Sequence, residues 1–199
     1  MKQLGIDFSR LDEVPLRTLV SNRGPITSSE GKLDGLQLDP RAVAAAAYAA
    51  GPKWKDADVL AMATMVSLAE SLGYLRAYCD NFKDNADGTR TLLSRDCGIW
   101  QINILAKFVG TKTEEDLYDP VKNARAAYAL YDRRKWQPWV AFDTGVCFHD
   151  PYLQRGVLGV MNFLAEKRIA DAKGKKAWQT TEVPIFLSKQ LPYTKKPKT

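Results

Sequence analysis

The sequence predicts an α+β fold that is mainly α, with a small β-hairpin lobe set between helices. Three observations carry that prediction. Residues 42–50, A-V-A-A-A-A-Y-A-A, form a strong helix former that stops at Gly51-Pro52. Residues 59–72, V-L-A-M-A-T-M-V-S-L-A-E-S-L, are apolar around most of a helical circumference and stop at Gly73. Residues 78–97 instead gather turn formers, Asp84, Asn85, Asp87 and Gly88, ahead of the strand-like T-L-L, the pattern of a hairpin or an irregular β-lobe.

In chain order, Pro15, Gly24-Pro25, Gly31, Gly35 and Pro40 interrupt every candidate helix in residues 1–40, which read as an N-terminal extension or embracing arm. The alanine-rich helix follows. Asp56 or Asp58 caps the second helix. After the β-lobe, Asp119 caps and Pro120 opens a further helix. In the last helix, which runs to Glu166, Asp150 is the expected cap, Pro151 the first residue, and Gly156 and Gly159 suggest close packing on another helix. His149 reads as structural.

The chain has 199 residues and a formal net charge of +6, with 45% apolar side chains, enough for a core and against wholesale disorder. Residues 167–199 hold nine Lys and Arg against Asp171 and Glu182, a net of +7, whereas the 20 basic and 21 acidic residues before them sum to −1. The basicity belongs to this C-terminal tail, which suits a solvated end, a segment ordered by a partner, or attraction to an anionic polymer. It carries no recognisable nucleic-acid module, so nucleic acid is not an expected partner. No apolar run reaches the ~20 residues of a membrane span, and the amino end lacks an export signal, so synthesis in the cytoplasm is expected. Cys79, Cys97 and Cys147 with one His make no familiar zinc set; three reduced thiols, or a single Cys79–Cys97 disulfide, are the alternatives.

With one His, acid-base chemistry falls mainly to carboxylates. At 100° per residue, Thr64, Ser67 and Ser71 make one narrow polar stripe, and Glu70 lies apart from it, in line with Val66, Met62 and Val59. A carboxylate on an apolar face must pair, take up a proton at raised pKa, or face a cleft. Asp96, between Ser94 and Arg95 in the polar hairpin, suits the ionised state.

S-R-D-C-G-I-W-Q-I-N, residues 94–103, resembles the segment bearing the second active-site carboxylate of chicken-type lysozymes, and its G-I-W-Q is similar to the G-L-M-Q of goose-type lysozymes and soluble lytic transglycosylases. L-A-E-S-L-G resembles the helix-end Glu-Ser that carries the transglycosylase acid, and L-Y-D-P-V-K-N-A-R-A-A-Y-A-L-Y and W-Q-P-W-V-A-F resemble later helices of bacteriophage lysozyme-like domains. The matches span residues 56–166 in the family's order.

The resemblance implies a lysozyme-like catalytic domain at residues 41–166 that cleaves the β-1,4 MurNAc–GlcNAc bond of peptidoglycan, with Glu70 as general acid and Asp96 as second carboxylate. Lysozyme is itself the standard case of two carboxylates separated by environment. Hydrolysis and transglycosylation to 1,6-anhydro ends both stay open. Ser71, Gln101 and Asn103 are the implied substrate-binding residues, with a turn-stabilising amide as the alternative for Gln101. Where transglycosylases carry A-Y-N-x-G, this chain has A-F-D-T-G at 141–145, so Tyr128 or Tyr131 would have to supply the missing hydroxyl, unless both are core aromatics. Trp136 and Trp139 flank Pro138, where indoles either stack on sugars or clamp two helices. No cofactor or metal is implied. Without an export signal, such an enzyme needs a holin-type pore, or carriage in a virion beside other virion proteins, as bacteriophage lysins and virion-associated lysozymes do. A non-catalytic virion module of the same fold is the competing reading.

Overall fold

The computed structural model describes residues 31–106 and 113–172. Its elements are β1 (Gly31–Lys32), α1 (Pro40–Ala50), α2 (Ala57–Ser71), β2 (Tyr78–Asp84), β3 (Arg90–Cys97), β4 (Ile102–Asn103), α3 (Glu114–Tyr118), α4 (Pro120–Arg134), α5 (Val140–Asp143) and α6 (Tyr152–Ala172). Short 3-10 turns cover Pro52–Lys55 and Val146–Phe148. The mainly helical α+β class is as expected.

Helix α2 is the axis of the core. Leu60 through Ala69 and Ser71 are all buried, as an apolar circumference demands, and α1 and α6 pack along it. The alanines at 42 and 44–47 of α1 are buried too, their small side chains letting α2, α4 and α6 approach. The two glycines of α6 sit at contacts: a Cβ on Gly156 would lie 2.5 Å from Met65 Cγ, and one on Gly159 would lie 2.6 Å from Pro40. Asp56, not Asp58, caps α2 by accepting from the N–H groups of Asp58 and Val59, and Asp119 caps α4 in the same way. At α6 the His149 carbonyl, rather than the Asp150 carboxylate, accepts from Tyr152 and Leu153.

The four strands form one antiparallel sheet in the order β1-β2-β3-β4. An Asn85–Thr89 turn, with Gly88 at φ +81°, closes the predicted hairpin. Between Asn81↔Ser94 and Phe82↔Leu92 the register shifts, leaving Leu93 as an extra residue. The bulge resets the alternation, so Arg90 and Arg95, five residues apart, both lie over rings of one β2 face, Phe82 and Tyr78 respectively. Ser94 and Asp96 therefore share the other face. Cys79 pairs with Asp96, while Cys97 is one residue out of phase and pairs with Tyr78, so the two thiols point to opposite faces. None of the three cysteines forms a disulfide.

Both ends of the helical domain differ from the sequence expectation. Residues 31–39 add β1 to the sheet, run beside residues 73–76 through three backbone hydrogen bonds and bury Leu38 completely. Helix α6 continues past Glu166 to Ala172, where Lys167 lies over the Tyr48 ring and pairs with Asp171. The rest of the arm, residues 1–30, and of the tail, residues 173–199, lies outside the described residues.

Candidate active site

Helix α2 ends where Leu72 takes the left-handed conformation at φ 54°, which leaves Glu70 in the last turn, facing α5 and the sheet. Trp139, at the N-cap of α5, offers no side-chain cap, and the Glu70 carboxylate does that work from another helix: the Ala141 N–H donates to Glu70 Oε1 at 3.1 Å. Burial pushes the Glu70 pKa above the usual carboxylate range; the Ala141 bond opposes the rise and the nearby Asp96 charge adds to it. Phe142, in the place of the transglycosylase tyrosine, packs on Trp136 and Phe148 instead. The Cys147 thiol also lies within electrostatic range of Glu70, and its own burial raises it to about 12, which keeps it neutral.

Asp96 stands on the sheet face toward Glu70, held by two amides. Asn81 Nδ2 donates to Oδ2 at 3.0 Å and Asn103 Nδ2 donates to Oδ1 at 2.8 Å. The same two nitrogens donate to Ser94 Oγ, at 3.2 and 2.8 Å. Turning either amide over would set a carbonyl oxygen against a carboxylate, so this orientation is electrostatically forced. Arg95, expected beside Asp96, lies on the opposite face, where its guanidinium binds both Asp80 oxygens, at 2.5 and 3.0 Å, and Glu114 at 3.2 Å. That pairing clamps β3 to β2 and α3 from behind.

The two carboxylates are brought together by the turn between β3 and β4. Ser67 and Ser71 each donate to the Ile99 carbonyl, at 2.9 and 2.8 Å, so the polar stripe of α2 faces inward and ties the turn to the Glu70 helix. From α4, Asn123 donates to the Cys97 and Leu117 carbonyls and accepts from the Trp100 N–H. Gly98 has φ +74°, and a Cβ there would overlap the Leu117 carbonyl and the Asn123 amide, which is why this position of the motif is glycine.

Several residues expected to contact substrate have their hydroxyls, amides or rings engaged within the protein. Ser71 is completely buried with its hydroxyl spent on backbone carbonyls, so it positions the turn. Gln101 adopts φ +48° and its amide nitrogen donates to the Ala77 and Gly98 carbonyls, the turn-stabilising alternative. Tyr128 accepts from the Lys53 N–H and packs on Trp54, near the start of α2; at 1.5 Å per residue that is about 20 Å along the helix from Glu70. It cannot replace the missing hydroxyl. Tyr131 lies in the same aromatic cluster. Trp139 is 3% exposed and donates its indole N–H to the Trp100 carbonyl, and Trp136 is buried among Trp54, Tyr131 and Trp139, so both clamp helices and neither presents a ring to a sugar. Asn103 does stand at the junction, on Asp96. Sequence reasoning missed Asn81, Asn123 and the Ala141 N–H. An Asn at helical spacing with Ala124 and Ala127 on α4 was the available signal, and a backbone donor leaves none.

A family model for the lysozyme-like domain matches residues 39–141, from the cap of α1 to the residue that hydrogen-bonds Glu70. The chain belongs to the lysozyme-like domain family. The match takes in both carboxylates, the Asn81–Asn103 clamp and the turn that joins them. A lysozyme-like domain points to glycosidase or lytic transglycosylase-type cleavage of the peptidoglycan of the cell wall. No curated protein and no solved structure matches the chain. Among the described residues no helix is long and apolar enough to cross a membrane, and no three His, Cys, Asp or Glu side chains converge as metal ligands.

Proposed function

We propose that this lysozyme-like domain is a muramidase that hydrolyses the β-1,4 MurNAc–GlcNAc bond, with Glu70 as general acid and Asp96 as the second carboxylate. The observation that carries the reading is the contrast between the two groups. Glu70 is desolvated on an apolar helix face with a raised pKa, which favours the protonated form that a general acid delivers to the glycosidic oxygen. Asp96 receives an amide N–H on each oxygen, which fixes the plane of its carboxylate beside Glu70. A charged carboxylate in that place offsets positive charge at the anomeric carbon, by direct attack or by orienting water.

A transglycosylase has no need of the second carboxylate, because the sugar's own 6-hydroxyl closes the ring. The two-amide clamp on Asp96 and the loss of the tyrosine hydroxyl at Phe142 both support hydrolysis. The likeness of residues 117–142 to bacteriophage lysozyme-like domains supports a phage lysin or a virion-associated lysozyme, reaching the wall through a holin-type pore or within the particle. Mass analysis of products from purified peptidoglycan tests the chemistry. Hydrolysis leaves reducing MurNAc; uniform 1,6-anhydro ends, lighter by one water or about 18 Da, refute it while leaving Glu70 in place. Detection of the chain in purified particles separates the virion-associated form from a free lysin.

A further inference from the structure

Glu70 lies at one end of α2, and positive charge gathers at the other. Residues 53–58, 132–135 and 167–171 hold seven Lys and Arg against four Asp, a net of +3, while residues 1–172 as a whole sum to zero. Folding brings these three stretches together. Lys53, on the turn before α2, pairs with Asp132 near the end of α4, and Lys135 lies over the Tyr131 ring at 5.0 Å. The hydrogen bond from Lys53, with the charges of Lys53, Lys135 and Arg133, holds Asp132 below the usual carboxylate range. Lys55 and Lys167, from the same turn and from α6, set their ammonium groups over one ring, Tyr48, at 5.5 and 5.6 Å from its centroid.

One or two cations at the ends of α4 and α6 would offset the helix dipoles. The surplus goes further. Lys55, Arg133 and Arg134 are exposed and form no ion pair with a described residue, and like charges set this close repel unless an anionic surface meets them. Ile169, in the last turn of α6, is 55% exposed, and the chain beyond adds seven lysines with Trp178 and the apolar I-F-L of residues 185–187. A phosphate polymer in water engages the cations alone, whereas the headgroup layer of a bilayer accommodates cations together with aliphatic and aromatic side chains. We infer that this end of the domain is a docking surface for an anionic membrane, and that docking leaves Glu70, about 20 Å away along α2, on the side away from the bilayer. The inference does not rest on the muramidase reading, because binding to vesicles involves no turnover.

The test pellets the full chain with vesicles of phosphatidylcholine, alone and mixed with phosphatidylglycerol. The wild type is expected to bind the mixed vesicles, to ignore the neutral ones, and to release as salt rises. The triple variant Lys55→Gln, Arg133→Gln, Arg134→Gln should partition onto the mixed vesicles about tenfold more weakly with its thermal midpoint unchanged. Asp58→Asn, which removes an exposed carboxylate of the same end, should bind about threefold more tightly. Equal binding of the wild type to both kinds of vesicle overturns the inference. So does equal binding of the triple variant and the wild type to the mixed vesicles, since residues 173–199 alone would then carry the contact. If the triple variant does not fold, Asp58→Asn decides, and binding no tighter than wild type refutes the docking. Wall fragments separate the other anionic partner: loss of wall attachment in the triple variant, with vesicle binding intact, assigns the surface to a wall polymer and overturns the membrane.

Discussion

Replacing Asn123 with Ala removes a side chain that hydrogen-bonds α4 to the turn carrying Gly98, Ile99, Trp100 and Gln101. Asn123 is fully buried and makes three hydrogen bonds of 2.8–2.9 Å, all to backbone groups: the Trp100 N–H, the Cys97 carbonyl and the Leu117 carbonyl. Each is worth about 1 kcal/mol net, and an abandoned buried partner costs about 1–3 kcal/mol. The better helix propensity of Ala returns only ~0.6 kcal/mol. The expected loss is therefore about 3 kcal/mol, a large part of the roughly 5–15 kcal/mol that stabilises a domain. Urea unfolding followed by tryptophan fluorescence measures it. At a slope near ~2 kcal/mol/M the midpoint falls by about 1.5 M with the slope unchanged. A fall under ~0.3 M would mean that the three backbone groups find other partners, and the account of how the turn is held would be wrong. Because that turn leads from Asp96 to Asn103, the variant should also lose activity at temperatures where it is still folded.

Glu70→Gln is expected to fold and to lose about a thousandfold or more in wall-clearing rate, since the amide has no proton to deliver, and a near wild-type rate would remove Glu70 from the mechanism. Its pKa is raised in the folded state, so the folded protein binds more protons than the unfolded chain between the two pKa values. Stability from this group is complete below the unfolded value of 4.5 and is lost as pH rises through the folded value. Glu70→Gln should match the wild type in thermal midpoint at low pH and exceed it at neutral pH; equal midpoints throughout would contradict the raised pKa. Asp96→Asn is expected to cost at least about a hundredfold in hydrolysis of soluble oligomers, whereas a transglycosylase would lose far less. Removing residues 173–199, whose seven lysines face one Glu182, should leave cleavage of soluble oligomers unchanged and weaken salt-sensitive attachment to walls, read by pelleting with peptidoglycan at rising ionic strength. Cutting at residue 167 would be the wrong experiment, because it removes the last turn of α6 with the Lys167–Asp171 pair.

What the sequence by itself determined was local or periodic. The all-round apolar pattern of residues 59–72 required a central buried helix, the Asp-Gly turn signals required the hairpin, Asp119-Pro120 marked the start of α4, and Glu70 stood out because a carboxylate broke an apolar face. Those signals are legible because propensity, capping and burial act over a few residues along the chain. The tertiary structure alone decided which face of each strand is turned inward: one extra residue, Leu93, resets the alternation between the two halves of β3, and Asp96 then shares a face with Ser94 and Asn81 while Arg95 takes the other. It also decided that Trp136, Trp139, Tyr128 and Ser71 serve the core, since a side chain that could meet sugar or protein does whichever its neighbours allow. The partners of the two carboxylates come from 71 residues away for Glu70, at Ala141, and from two different strands for Asp96. No spacing along the chain encodes such contacts, because a backbone N–H or an asparagine acquires its role only when folding brings the acceptor to it.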